Sequence, residues 1–192
     1  MPIKRAFSDY TSQDYDGFIG GSKAQVKSNK FPKYATLPHD ARMYKRSDSP
    51  WVYSGIQSLD SINIAAVKNY KYGDAQLDKY LHNKENKNVL LVDEVNHLEK
   101  FLVLLNRKRI EAFAAGELPA QLYLRQNNVK NIVVASKSIG QFKNYISISP
   151  YSKYSKKLLD TLNKNFKKIH QNGTLKKIYQ KYGIQKDIPL IE

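Results

Sequence analysis

The chain has 192 residues, 41% hydrophobic and 26% charged, with no cysteine and a net charge of +15, enough for one sizeable core or two small lobes in the composition range of soluble globular proteins. The lack of cysteine excludes disulfides, thiolate nucleophiles and thiolate zinc sites, and no apolar run approaches the roughly 18 residues of a membrane helix. The charge excess, 32 Lys+Arg against 17 Asp+Glu, is mostly lysine spread along the chain, the pattern of a solvated surface rather than of a nucleic-acid reader, in which arginine supplies base contacts.

In chain order, Ile3, Ala6, Phe7 and Tyr10 share a face and predict a short helix over 3–12. The opening stretch "MPIKRAFSDY" carries no apolar segment of the signal-peptide kind. "YDGFIGG" reads as a buried strand, and residues 22–40, broken by Pro32 and Pro38, read as irregular. "ARMYKRSDSPW" reads as extended up to a turn at Pro50. An alternation then begins: a strand over 62–67, a helix over 74–82, the strand "NVLLVD", and a helix capped by Asp93 with the stripe Val95, Leu98, Leu102 and Leu105. The strand "IEAFAA", a helix over 118–125 and the strand "NIVVAS" follow. Such alternation predicts βαβ units and a parallel sheet. After Ser138 come the strand "NYISISP" and two helices, one ending at Gly173 and the next capped by Thr174 and ending at Gly183. The flanks therefore differ from the middle and have to find each other.

The turn between the strand at 62–67 and the helix after it, Tyr70, Tyr72, Gly73 and Asp74, has two readings. A helix N-terminus can hold an anion on its free N–H groups, or Gly73 merely turns the chain and Asp74 caps the helix. The residues leave both open. The histidines, His39, His82, His97 and His170, have no metal-ligand spacing, no nucleophile-elbow glycines surround a serine, and neither a phosphate loop nor GxGxxG occurs. No metal, cofactor or enzymatic activity is expected.

The stretches "YDGFIGGSK", "SPWVYSGIQSL", "YKYG", "KRIEAFAAGELPAQLYL", "YISISP" and "GTLKKIYQKYG" resemble, in order and spacing, the bacterial extracytoplasmic solute-binding proteins, in particular the polar amino acid binding family of ABC transporters. The resemblance implies an α/β fold of two lobes joined by two crossing strands, closing on a ligand in the cleft between them. Residues 1–46 and 142–192 would form the first lobe and 47–141 the second. The family has a further strand, helix and strand ahead of the position matched by Met1, so the first lobe is expected to be incomplete, with an exposed edge that predicts self-association. The implied location is periplasmic or extracytoplasmic.

The resemblance also implies site residues. The turn at Tyr70–Asp74 would meet the ligand carboxylate. The loop "GGSKAQVK", with Ser22 and Lys23, has Lys27 (Ser28 with a one-residue slip) where the family has a carboxylate-clamping arginine. Gly116, followed by Glu117, stands where the family often has the aspartate that holds the ligand's ammonium group. Lysine lacks the bidentate fork of arginine and glycine has no carboxylate, so weak binding of α-amino acids is expected. The implied function is the substrate-binding component of an ABC-type transporter, capturing a small polar solute, amino acid-like or anionic, and presenting it to a membrane permease. The alternatives are a sensor module of a membrane receptor, an enzyme on the same fold, or a nucleic-acid-binding protein supported by charge alone.

Overall fold

Two strands without a polar side chain organise the middle of the chain. β3 (Ile64–Val67) is buried at all four positions and β5 (Ala112–Gly116) at all five, as continuous apolar strands are when both faces of a sheet are covered. The computed structural model, which describes residues 15–24 and 26–184, pairs them in parallel (Ile64 with Ala112, Ala65 with Phe113) and adds β4 (Val89–Val92) in parallel on the other side of β3. β2 (Leu37–Arg46) runs antiparallel to β5, from Ala41 opposite Gly116 to Lys45 opposite Ala112, and β6 (Ile132–Val134) runs antiparallel to β2. The expected parallel sheet is therefore mixed. β6 has the direction that a βαβ crossover from β5 requires, but β2 is inserted between them.

The period of two along each strand sorts the core into two layers. Ala41, Met43, Ile64, Ala66, Ala112 and Ala114 face one side and pack with Leu59, Tyr72, and Leu77 and Leu81 of α1 (Ala75–Leu81). Tyr44, Ala65, Val67, Phe113 and Ala115 face the other, against Phe101 and Leu105 of α2 (His97–Asn106) and Ala120 of α3 (Glu117–Gln126). Phe113 stacks between Tyr44 and Phe101, with ring centroids 5.2 and 4.8 Å away.

α2 begins later than its sequence pattern implies. Its N-cap is Asn96 in the left-handed region, so Asp93 lies outside the helix and Val95, expected in the apolar stripe, is exposed. Phe101 and Leu105 are its buried residues, with Leu98 and Leu102 partly covered.

The chain divides into two compact units. One is His39–Gln141, and the other joins the described residues up to Pro38 to those from Phe142 onward. The chain passes between them within β2 and within β7 (Gly140–Ile148). In the second of these units β1 (Gly17–Gly21) pairs antiparallel with β7, with an irregularity between Ile19 and Gly21. β1 is mostly exposed, Ile19 at 76%, which corrects the expectation of a buried strand. Among the described residues it pairs with β7 alone and stands at the edge of the sheet. Lys30 exchanges backbone hydrogen bonds with Ile148 at 2.9 and 2.8 Å. α4 (Ser155–Gln171) and α5 (Thr174–Lys181) follow. Thr174 is not the N-cap. Gly173, at φ 75°, takes that position, and Asn172 Oδ1 accepts from the Thr174 N–H at 3.0 Å. Both helices are amphipathic in sequence, yet among their residues only Ser155 is buried. The predicted helix over 3–12 lies outside the described residues.

Candidate functional site

In open α/β sheets, ligands bind outside the carboxyl ends of the parallel strands. In the unit His39–Gln141, those ends are the segment after β3 and the β5–α3 junction, with the start of β2 alongside.

The segment after β3 is fixed by its own side chains. Tyr72 is fully buried, its hydroxyl accepts from the Val67 N–H at 2.8 Å, and its own N–H donates to Asp78 Oδ1 at 2.8 Å. Burial, opposed by that backbone hydrogen bond, holds the Tyr72 hydroxyl well above its ordinary pKa. Tyr72 is thus a core residue that shapes the turn, with its hydroxyl committed inward. Tyr70 is partly buried, its ring 5.1 Å from Tyr72 and 5.9 Å from His39. Burial, and secondarily Glu94, raise its pKa to about 12.

Gly73 sits at φ 101°, and a Cβ built there would stand 2.7 Å from the backbone nitrogen of Gln141. At Gly140 the same atom would stand 2.5 Å from the carbonyl oxygen of Tyr72. The turn and the first residues of β7 touch backbone to backbone, and only glycine permits that approach. Asp74 is the α1 N-cap, its Oδ1 accepting from the Leu77 N–H at 2.8 Å. Its carboxylate occupies one of the N–H groups that an anion would take.

At the β5–α3 junction, Gly116 is buried and is the N-cap of α3. A Cβ on it would meet His39 Cε1 at 2.8 Å and Pro119 Cγ at 3.1 Å. His39 is 8% exposed, and burial lowers its pKa to about 4 against a smaller upward pull from Asp40, so it is neutral at pH 7. The adjacent positions of β2 place Asp40 and Arg42 on the opposite strand face. Arg42 Nη2 lies 2.8 Å from Asp40 Oδ2 and Arg42 Nε 3.5 Å from Glu117 Oε1. The Tyr44 hydroxyl donates to the Glu117 carbonyl oxygen at 3.4 Å, and burial first and Glu117 second push its pKa far up.

The structure therefore brings Tyr70, Gly73, Asp74, Gly116 and Glu117 to one end of one sheet. Ser22, Lys23 and Lys27 belong to the other unit, in the loop after β1. Ser22 is buried, its carbonyl oxygen accepting from the Val26 N–H at 3.2 Å. Lys23 Nζ lies 5.0 Å over the Tyr145 ring, and Lys27 is exposed. Sequence reasoning does not single out His39, Asp40 and Arg42, because Pro38 reads as a breaker and Arg42 only as part of an extended stretch. The signal is the alternation from His39 to Met43, whose odd positions are buried. A separate groove of about 650 Å³ in the same unit is lined by polar residues such as Lys45, Ser54 and Lys137 together with apolar ones such as Val52 and Val134. Among the described residues no three His, Asp or Glu side chains are grouped as metal ligands, and no helix is long and apolar enough to cross a membrane.

No protein-family model and no curated protein matches the sequence. Solved structures do. A mutant of ArgBP from T. maritima superposes with a TM-score of 0.74 at 17% identity, covering 95% of this chain and 75% of that one. An ancestral arginine-binding protein bound to glutamine gives 0.73 at 16%, covering 96% and 78%. A histidine kinase sensor domain with similarity to periplasmic binding proteins gives 0.70 at 18%, covering 98% and 76%. The fold of this chain is accordingly the two-lobe α/β fold of the periplasmic-binding-protein type.

Proposed function

We propose that this chain is a non-catalytic solute-binding module that captures a small polar solute, amino acid-like or anionic, as the substrate-binding component of an ABC-type transporter. On this reading it works outside the cytoplasmic membrane and hands its solute to a membrane permease. The observation that carries the proposal is the convergence of Tyr70, His39 and Gly116 at the carboxyl ends of β3 and β5, the place where this sheet architecture receives ligands, in a fold similar to an ancestral arginine-binding protein bound to glutamine. Tyr70, Gly73, Asp74, Gly116 and Glu117 would form the solute-facing surface of this unit, and Ser22, Lys23 and Lys27 remain the candidate contacts within the other unit, taken by itself. The Asp74 cap bears on the chemistry: with Leu77 N–H already taken, an anion at this turn depends on the neighbouring N–H groups and on lysines.

A second reading, a sensor module of a membrane receptor, is favoured by the likeness to a histidine kinase sensor domain over 98% of this chain. Both readings require solute capture and differ in the partner.

The test is a thermal-shift screen of the purified chain against the twenty amino acids, small organic acids and small polyols. A saturable rise in melting temperature with at least one of them supports the proposal, because a ligand that binds only the folded state stabilises it by mass action. No shift with any solute at millimolar concentration counts against it.

A further inference from the structure

We infer that the free edge of β4 pairs with the same edge of a second copy of this chain, antiparallel about a two-fold axis at Leu90. Among the described residues β4 pairs with β3 alone and ends the strand order of its sheet. All four of its residues are aliphatic, yet Leu90 is 45% and Leu91 36% exposed. Leu90 and Val92 form one wall of a groove of about 450 Å³, and Lys100, Val103 and Leu104 of α2 form the other. Val103 is itself 44% exposed. An edge strand with no charge, proline or bulge within it is open to pairing with another chain. β1, the edge strand of the other unit, is instead broken by glycines and by the irregularity between Ile19 and Gly21, devices that blunt an edge.

Backbone direction and flanking charge decide the partner and the register. The Ile64 N–H donates to Asn88 O at 2.9 Å and the Lys68 N–H to Val92 O at 2.8 Å, so the even-numbered residues of β4 turn their peptide groups toward β3 and Val89 and Leu91 turn theirs outward. The Val89 N–H closes the preceding turn on Asn86 O at 3.2 Å, which leaves the Leu91 N–H as the outward donor. Two-fold symmetry makes the pairing antiparallel, and outward residues have to meet outward residues. Val89 set opposite Leu91 of the second copy joins the Leu91 N–H of each copy to the Val89 carbonyl of the other. Leu90 then meets Leu90 of the second copy as a close, non-hydrogen-bonded pair. Lys87 and Asp93, both exposed, face each other across the axis at either end. A two-residue slip in one direction sets Leu91 against Lys87, and in the other Val89 against Asp93, so both slips oppose an apolar residue to a charge. The strand is basic where it enters and acidic where it leaves, which makes it complementary to itself when antiparallel. The general charge excess of +15 does not extend to this edge, because residues 84–100 hold three lysines against four carboxylates.

Sedimentation velocity of the purified chain, from micromolar to near-millimolar concentration, should show a reversible monomer–dimer equilibrium. Leu90→Lys sets like charges directly opposite each other at the axis and should weaken the dimer about tenfold, with the far-ultraviolet circular dichroism unchanged. Lys87→Glu and Asp93→Lys each turn two attractions into two repulsions and should each weaken it about fivefold. These two positions lie outside the strand and keep the test decisive if Leu90→Lys impairs folding. Mixing the two single variants restores opposite charges at both ends of the pair and should return dimerisation to near the parental strength, as should both changes in one chain. A chain that stays monomeric throughout the series overturns the inference. A dimer that Leu90→Lys and the charge variants leave intact overturns it too, placing association at another surface. Weakening by the single charge variants without recovery on mixing also overturns it, because the antiparallel register requires that recovery.

Discussion

Replacing Gly73 by alanine tests whether the turn after β3 is locked by backbone contact. The residue lies at φ 101°, and the added Cβ would meet Gln141 N at 2.7 Å and Gln141 C and O at 2.9 Å. Two costs add. Holding a non-glycine residue in a sparsely populated backbone region costs about 1–3 kcal/mol. Forcing a methyl group into backbone that cannot rotate away costs about 1–3 kcal/mol more, as overpacking does elsewhere. Gly173 supplies the control, because it also has positive φ, 75°, but a Cβ there meets nothing within 4 Å. Gly173→Ala should therefore cost only the left-handed penalty, about 1–2 kcal/mol. The two variants are compared by urea unfolding, followed by hydrogen exchange of the amides of α1 and β3 to place the loss in the unit His39–Gln141. Gly73→Ala should be the more destabilising by about 1–3 kcal/mol, with faster exchange in 64–81. Equal losses in the two variants would refute the account of the turn.

Other outcomes follow from the same geometry. Asp74→Ala removes the acceptor for the Leu77 N–H and should cost about 1 kcal/mol, with Asp74→Asn recovering most of it in the same unfolding assay. Phe113→Ala opens a cavity between Tyr44 and Phe101 and should cost about 3–5 kcal/mol, measured by urea unfolding. His39 makes stability depend on pH. Its pKa is lowered on folding from 6.5 to about 4, so the unfolded chain binds the proton more readily, and stability is full above 6.5 and falls as pH drops toward 4. The loss over that window should be about 3 kcal/mol, and a series of unfolding curves on His39→Gln should show a correspondingly flatter pH profile.

Much of this fold is legible in the residues alone. "IAAV" and "AFAAG" declare doubly covered strands because no polar position interrupts them, and each described helix lies within a few residues of its apolar period. What the sequence conceals is strand order. The alternation from β3 to β6 predicts parallel pairing. Nothing in "HDARMYK" announces that β2 inserts between β5 and β6 and reverses the direction there, since register and neighbour are set by tertiary packing and not by local period. The same omission hid His39. A polar residue directly after a proline break reads as loop, and its burial becomes visible only once Gly116 is placed against it. Tyr72 misleads in the opposite way. A tyrosine in a turn suggests a ligand contact, but its hydroxyl is turned inward to Val67. The fold-level resemblance pointed to the carboxyl ends of β3 and β5, while the buried His39 beside Gly116 is visible only in the structure.

The central claim, solute capture at the carboxyl ends of β3 and β5, is tested most directly by hydrogen exchange with and without the solute that gives the largest thermal shift. Protection is predicted at the amides of 70–74 and 116–118 and lost in His39→Ala, with the groove lined by Ser54 and Lys137 unaffected. Protection confined to 52–55 and 134–138, with 70–74 and 116–118 unchanged, would contradict it.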